Sequence, residues 1–268
     1  MNRALQLTFF LALTLAAATG CKTRQEKVFN DIRYAERRSE LTVDDPDQDR
    51  LLDLYLPETA KPAGGYPVFV FVHGGGFSGG NKDLKGSNEA MFSHLRGHGY
   101  AVVSVNYYLF KKNNPLARTY TMDNPLPEMM ASEDLTLALR WIWDEADRYG
   151  LNRDAVCLCG GSAGGMAVLS TAYLRQPTKP SVKAIVNLWG GISNIALIRN
   201  PEIPILTLYG DQDPHFEILD SLRQQMEKIG NQHAESIVME GHGHAEYRYV
   251  GENRMDEVID FLDRSLSL

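Results

Sequence analysis

The chain has 268 residues, 44% of them hydrophobic, and a net charge of -7. This length and composition suit one large α/β domain and exclude a disordered chain. The acidic balance argues against nucleic acid as a partner.

The first twenty residues have the layout of an export signal. Arg3 supplies a short positive region, and the apolar stretch of residues 5–18 is too short for a comfortable membrane span. Ala18-Thr19-Gly20-Cys21 then resembles the cleavage box of a bacterial lipoprotein, in which Cys21 becomes the lipidated first residue. An ordinary secretory signal with a chance cysteine is the alternative.

These features predict three segments. We expect a signal peptide at residues 1–20, a lipid-anchored tether and N-terminal segment at 21–48, and a folded domain at 49–268. The protein would then lie in the bacterial cell envelope, periplasmic or at the cell surface. It would contact the membrane through its N-terminal lipid only.

Apolar runs and helical patterns alternate along the rest of the chain. The run at residues 67–72 is continuously β-branched and aromatic, as in strands buried on both faces of a parallel sheet. Strands alternating with helices predict an α/β fold whose mostly parallel central sheet carries helices on both faces. We expect strands near residues 32–36, 51–56, 67–72, 101–105, 155–159, 182–186, 203–208 and 236–239, and helices at 128–149, 163–174, 216–229 and 252–266.

Two cysteines fall on one of these strands. Cys157 and Cys159 are two positions apart, so their side chains point to the same face. A disulfide between them would need an unusual backbone, and we expect both to pack in the core. No cysteine spacing typical of a zinc site occurs in the sequence.

The most informative motif is Gly160-Gly161-Ser162-Ala163-Gly164, which follows a predicted strand and opens a predicted helix. Such a junction holds a serine on a sharp strand-to-helix turn and exposes its hydroxyl. The glycines leave room for a strained backbone and for the helix to pass close to the strand. A flexible glycine-serine loop is the alternative.

A second glycine motif, His73-Gly74-Gly75-Gly76-Phe77, follows the predicted strand 67–72. Consecutive glycines let backbone N–H groups turn toward a ligand, where they can hold the negative oxygen of an acyl-transfer intermediate. We expect Gly75, Gly76 and Ala163 to supply those donors. His73 opens the turn well before the serine, so we expect it to organise the loop.

A serine hydroxyl needs a base, and in this order of motifs an acid precedes that base. Asp211 and Asp213 both follow the predicted strand 203–208, and His242 and His244 both follow strand 236–239. From the residues alone, each pair leaves two candidates open.

Together these motifs resemble the α/β-hydrolase fold, and more narrowly the carboxylesterase and hormone-sensitive-lipase-like branch. The likeness extends from about Leu51 to the C-terminus. In such proteins the acid closes a Gly-x-x-Asp turn and the histidine a Gly-x-Gly-His turn, which implies Asp213 and His244. Asp134 matches an aspartate that the family uses structurally.

The chain departs from the family in three places. Tyr108 stands where relatives commonly have an arginine, and Met166 where a histidine is frequent. The segment at 194–201 is short where relatives often insert a cap. Little or no cap implies an open pocket, and hence short acyl groups or a bulky alcohol such as a carbohydrate.

The resemblance implies a serine hydrolase that cleaves carboxylic esters through an acyl-enzyme on Ser162, with no cofactor and no metal. A small-molecule or carbohydrate ester is the expected substrate. The alternatives are a serine peptidase or another hydrolase on the same fold, and a non-catalytic binding protein on this scaffold. The oligomeric state is left open by the sequence.

Overall fold

An eight-stranded β-sheet forms the centre of the protein, with strand order β1-β2-β4-β3-β5-β6-β7-β8. The first two strands pair antiparallel, and the other six run parallel to one another. The strands are β1 (Val28–Arg33), β2 (Leu51–Tyr55), β3 (Tyr66–Val72), β4 (Ala101–Val105), β5 (Leu151–Gly161), β6 (Ala184–Leu188), β7 (Ile205–Gly210) and β8 (Ala234–Met239).

The computed structural model describes residues 27–37, 50–110 and 125–268. The predicted signal segment 1–20, Cys21 and most of the tether 21–48 lie outside the described residues. Strand β1 lies about four residues earlier than the edge strand expected near 32–36.

Helices cover both faces of the sheet, as the alternating pattern predicts. The helices are α1 (Glu89–Gly97), α2 (Leu126–Tyr149), α3 (Ala163–Leu169), α4 (Phe216–Lys228), α5 (Tyr247–Asn253) and α6 (Met255–Leu266). A π-helical turn at Ser170–Arg175 continues α3, and short 3-10 helices lie at Gly86–Asn88 and Ile195–Leu197.

The central strands are buried on both faces because their side chains alternate between two cores. In β3, Val68 and Val70 belong to the core cluster that also contains residues of α2 and α3. Phe69 and Phe71 alternate with these valines along the strand. They belong to a second core cluster, on the opposite face, which also contains residues of α1 and α6. This two-residue period explains the continuously apolar strand sequences. Cys157 and Cys159 are free and buried in the second cluster, as predicted.

Two helical segments differ from the sequence expectation. Helix α1 was not predicted, although it buries three side chains, Met91, Phe92 and Leu95. The single helix expected at 252–266 is two helices, because the backbone at Arg254 leaves the helical region, with φ -129° and ψ 7°.

The connection between β6 and β7 is short, as the sequence indicates. Residues 189–204 contain the 3-10 helix Ile195–Leu197 and otherwise irregular chain. No cap domain is inserted between these strands, so the carboxyl edge of the sheet stays accessible at this side. In α/β sheets of this type, ligands bind at that edge.

Candidate active site

The carboxyl edge of the parallel strands brings three predicted residues together. The Nε2 atom of His244 lies 2.9 Å from the Oγ of Ser162, and its Nδ1 lies 2.7 Å from the Oδ2 of Asp213. A carboxylate only accepts hydrogen bonds, so Nδ1 donates to Asp213. Nε2 is then unprotonated in the neutral ring and accepts from the Ser162 hydroxyl.

Ser162 occupies the sharp turn between β5 and α3. Its φ of 54° and ψ of -121° are a conformation that costs free energy for any residue with a side chain. Crowding of the backbone fixes the turn: a Cβ on Gly164 would lie 2.6 Å from the carbonyl oxygen of His73 and would overlap that of Val72. The motif glycines are therefore required by close packing, as the sequence indicates.

Of the two aspartates after β7, only Asp213 contacts the histidine. Its side chain is fully buried, and its Oδ1 accepts a hydrogen bond of 2.8 Å from the N–H of His215. Asp211 is exposed and accepts from the N–H of Gly241 instead. The geometry agrees with the turn register that favours Asp213.

The two histidines after β8 separate in the same way. His244 bridges Ser162 and Asp213, whereas His242 points elsewhere. The ring of His242 lies against Tyr249, with centroids 3.8 Å apart, and its Nδ1 is 3.8 Å from Glu246. His242 is thus part of the packing around α5.

The residues predicted to supply donors for a negative oxygen line the same cavities as Ser162: Gly75 and Gly76 line one, and Gly76 and Ala163 line the other. Gly75 and Gly76 have φ values of 111° and 60°, a left-handed backbone that glycine adopts most readily. Within the described part of the chain, the N–H groups of Gly75, Gly76 and Ala163 have no protein acceptor. Ala163 is also the first residue of α3, where N–H groups lack helical partners.

His73 is buried behind the glycine turn. Its Nδ1 donates to the carbonyl oxygen of Gly74 at 2.7 Å, and its ring stacks on Tyr107 with centroids 4.4 Å apart. Burial lowers the pKa of His73 to about 4, while the hydrogen bond with Gly74 opposes that shift. The ring is therefore neutral near pH 7 and organises the loop, as expected.

Three aromatic neighbours of this site were not predicted from the sequence. Trp189 follows β6 and contacts the His244 ring edge-on, with centroids 6.3 Å apart. Tyr247 packs on Trp189 at 4.9 Å, and burial raises the pKa of its phenol. The His215 ring lies 5.3 Å from that of His244. Trp189 directly follows a strand, which was the available signal for it, whereas long-range packing brings His215 and Tyr247 to the site.

Asp134 has the structural role that the resemblance implies. Its buried carboxylate accepts from the Nε of Arg50 at 3.0 Å and from the N–H of Tyr108 at 2.9 Å. Tyr108 stands where relatives commonly have an arginine, and the arginine that contacts Asp134 in this structure is Arg50, the residue before β2. The long helix is thereby tied to the sheet beside the site.

Two cavities of different character meet at Ser162 and His244. The first, which we call the polar cavity, has a volume of about 450 Å³, lies between the glycine turn and residues 80–88, and has the larger share of hydrogen-bonding side chains in its lining. The apolar cavity, of about 340 Å³, lies against α3 and α4 and is lined mainly by Phe77, Met166, Trp189, Ile192 and Ile218. Both sizes fall in the range of small-molecule sites.

Within the described ranges, neither a cluster of metal-binding side chains nor a helix that could span a membrane occurs. Residues 27–37, 50–110 and 125–268 contain no group of three or more histidine, cysteine or acidic side chains arranged to hold a metal ion. None of the helices described above is both long enough and apolar enough to span a bilayer.

The lysines and asparagines at 111–114, in the long segment between β4 and α2, lie outside the described residues.

Comparison with known proteins identifies the family. The sequence model of the BD-FAE family matches residues 52–202, more than half of the chain. The chain belongs to the BD-FAE family, a family of α/β-hydrolase esterases. The match includes the glycine turn and the Ser162 motif, and it agrees with the carboxylesterase branch named above.

Known relatives resemble this BD-FAE chain over part of their length. Esterase LipC of Mycobacterium tuberculosis is 29% identical over 170 residues, which cover 59% of this chain and 37% of LipC. Carboxylesterase 3 of Pongo abelii is 33% identical over 181 residues, 65% of this chain and 30% of the relative. The chain spans about a third of the length of each of these two.

Solved structures confirm the fold. A truncated carbohydrate esterase from gut microbiota superposes with a TM-score of 0.69 and 15% identity, covering 91% of this chain and 97% of that one. Esterase B from Lactobacillus rhamnosis gives a TM-score of 0.67 at 17% identity, covering 91% and 88%. The BD-FAE chain therefore has the α/β-hydrolase fold predicted from its sequence.

Proposed function

We propose that this protein is a serine hydrolase that cleaves carboxylic esters through an acyl-enzyme on Ser162. One observation carries the proposal. A hydroxyl on a strained turn, an imidazole and a buried carboxylate form one hydrogen-bonded chain of 2.9 Å and 2.7 Å. This arrangement activates a serine for attack on a carbonyl carbon.

The first half of the reaction forms the acyl-enzyme. As Ser162 Oγ attacks the ester carbonyl carbon, His244 Nε2 takes the hydroxyl proton, and Asp213 stabilises the imidazolium through Nδ1–H. The carbonyl oxygen becomes negative and accepts hydrogen bonds from the N–H groups of Gly75, Gly76 and Ala163. His244 then gives its proton to the departing alkoxide, and the alcohol leaves.

The second half frees the acid. A water molecule gives a proton to His244 and attacks the acyl carbon, and the new intermediate collapses when Ser162 Oγ leaves and takes that proton back. The same N–H groups hold the negative oxygen in both halves. Loss of one such donor costs roughly 100-fold or more in turnover in comparable sites.

The comparisons support this activity. The matched relatives include proteins named as esterases and carboxylesterases, and the family is one of α/β-hydrolase esterases. Because the chain spans only part of those relatives, the proposal rests on the site geometry first.

Hydrolysis of 4-nitrophenyl acetate tests the proposal. We expect wild-type turnover to fall to background in Ser162→Ala and His244→Ala, because each removes one partner of the proton transfer. His242→Ala is the matched control and should keep activity within a few-fold of wild type. Equal activity in wild type and Ser162→Ala would contradict the assignment, and a peptide panel run in parallel would detect a peptidase.

The favoured substrates are short-chain esters and acylated carbohydrates. The short connection between β6 and β7 leaves the site open to a bulky alcohol, and the apolar cavity of about 340 Å³ suits a small acyl group. The carbohydrate esterase with the same fold is consistent with this preference. Comparing kcat/KM for acetate and for decanoate esters tests it, and a preference for decanoate would contradict it.

We also propose that the protein is exported and anchored by a lipid on Cys21. The support is the sequence of residues 1–21, with its positive start, its apolar stretch and the Ala18-Thr19-Gly20-Cys21 box. In a bacterial host, wild-type protein should incorporate labelled palmitate and fractionate with membranes. Cys21→Ser should lose the label, and label retained in that variant would contradict the proposal.

A further inference from the structure

The two halves of an ester extend in different directions from the carbonyl carbon that Ser162 attacks. Both cavities described above reach that serine and His244, so one half can occupy each. The acyl half and the alcohol half of an ester differ in hydrogen-bonding capacity, and so do the walls of the two cavities. This property indicates which cavity receives the alcohol.

The polar cavity offers hydrogen bonds at its outer wall. Asn81, Asp83, Ser87 and Asn88 contribute amide, carboxylate and hydroxyl groups to it. A polyhydroxylated alcohol loses many hydrogen bonds to water on binding, and such a wall can replace them. The apolar cavity offers mostly carbon atoms, and it suits an acyl chain.

A buried ion pair holds this wall in place. Lys82 is 6% exposed, and its Nζ lies 2.9 Å from Asp53 and 2.8 Å from Asp31. Its backbone N–H also donates to the side chain of Asn106 at 2.6 Å. The flanking residues Asn81 and Asp83 are thereby fixed toward the cavity, and the lysine charge is directed away from it.

The polar cavity has an uncompensated negative charge. Asp83 is exposed, and within the described ranges no lysine, arginine or histidine lies within ion-pair distance of its carboxylate. Among the residues that the structure describes, no lysine or arginine lines the cavity. An anionic group placed there would be repelled by the Asp83 carboxylate.

We infer that the polar cavity receives the alcohol half of the ester as an uncharged polyhydroxylated group, such as a neutral sugar, and that Asp83 disfavours alcohols carrying a negative charge. This inference rests on the proposed function and adds the specificity of its alcohol side. Asp83 is a specificity residue for binding, distinct from the groups that transfer the proton.

Two acetate esters test the inference. One is an acetylated methyl glucoside, and the other is the matching acetylated methyl glucuronoside, in which a carboxylate replaces the neutral CH₂OH group. At low salt, we expect wild-type kcat/KM to favour the neutral ester about fivefold or more, the effect of one like charge at short range. High salt should reduce that ratio, because exposed charges are screened.

Variants identify the residue responsible. Asp83→Asn should bring the ratio close to one, whereas Asp260→Asn, the same change on the exposed face of α6, should keep the wild-type ratio. The acetate-to-butyrate ratio for a fixed neutral alcohol should stay unchanged in Asp83→Asn. A shift in that acyl ratio would overturn the assignment of the two cavities.

The outcomes distinguish a failure of this inference from a failure of the proposed function. A wild-type protein that cleaves both sugar acetates equally well contradicts the charge selectivity and leaves the esterase proposal standing. An Asp83→Asn variant that retains the wild-type preference for the neutral ester would also contradict the charge selectivity and leave the esterase proposal standing. A wild-type protein that cleaves no ester overturns the proposed function and this inference with it.

Discussion

The Nε2 atom of His244 lies 2.9 Å from the Oγ of Ser162, although the two residues are 82 positions apart in the chain. The contact exists because β5 and β8 run parallel, so the loops that follow them meet at one edge of the sheet. The hydrogen-bond partners of these side chains determine which atoms carry protons, and therefore which substitutions abolish activity.

Asp213→Asn should lower kcat for 4-nitrophenyl acetate by about 10³-fold or more, because an amide N–H facing Nδ1 favours the wrong imidazole tautomer. Asp211→Asn is the matched control. Its side-chain oxygen can still accept from the N–H of Gly241, so we expect kcat within about threefold of wild type. If Asp211→Asn lost activity and Asp213→Asn kept it, the choice of acid would be wrong.

His73 should make the fold sensitive to acid. Its folded pKa of about 4 is below the usual 6.5, so the unfolded chain binds the proton first as pH falls. This contribution to stability is complete above pH 6.5 and is lost between pH 6.5 and about 4.

Urea denaturation at about pH 7 and about pH 4.5 measures this loss. Wild type should lose about 2 kcal/mol more of its free energy of unfolding than His73→Asn, because other titrating groups are common to both. Asparagine keeps a donor that can reach the Gly74 carbonyl. An equal loss in the two proteins would contradict the buried neutral histidine.

Gly164→Ala should destabilise the protein, because the added Cβ would overlap the Val72 carbonyl, and backbone atoms cannot move aside cheaply. We expect a loss of about 3 kcal/mol or more in the free energy of unfolding, measured with urea. Gly97→Ala is the control, because its Cβ meets nothing within 4 Å, and it should change stability by less than about 1 kcal/mol. Similar values for both would mean that the turn is looser than described.

The sequence predicted this turn because local chemistry dictates it. Only glycine permits the close approach around Ser162, and the flanking strand and helix have clear periodicity. Helix α1 escaped prediction because it is only nine residues long, and a helix of that length gains its stability mainly from packing. The choice between Asp211 and Asp213 needed the family's turn register, since both follow the same strand.

Other parts of the site depend on contacts that no local pattern encodes. The rings of Trp189 and Tyr247 contact each other beside His244. This contact depends on β6 lying next to β5 in the sheet and on α5 packing against the sheet. The arginine that contacts Asp134 comes from position 50, 84 residues away in the chain. Such partners become visible when the strand order is known.

Ile218→Ala should change the acyl preference. Ile218 lines the apolar cavity, so removing three of its side-chain carbons enlarges that cavity. The hexanoate-to-acetate ratio of kcat/KM should rise about tenfold, the effect of a few methylene groups in an apolar pocket. Val238→Ala, on the exposed edge strand β8, should leave the ratio unchanged, and an unchanged ratio in both variants would contradict the acyl assignment.

The most direct test of the account is the position of a covalent adduct. The protein, treated with a fluorophosphonate and digested, should carry one modification, on Ser162, and the modified protein should lose its esterase activity in proportion. Ser162→Ala should remain unlabelled. An adduct on another residue with the same loss of activity, or equal labelling of Ser162→Ala, would contradict Ser162 as the nucleophile.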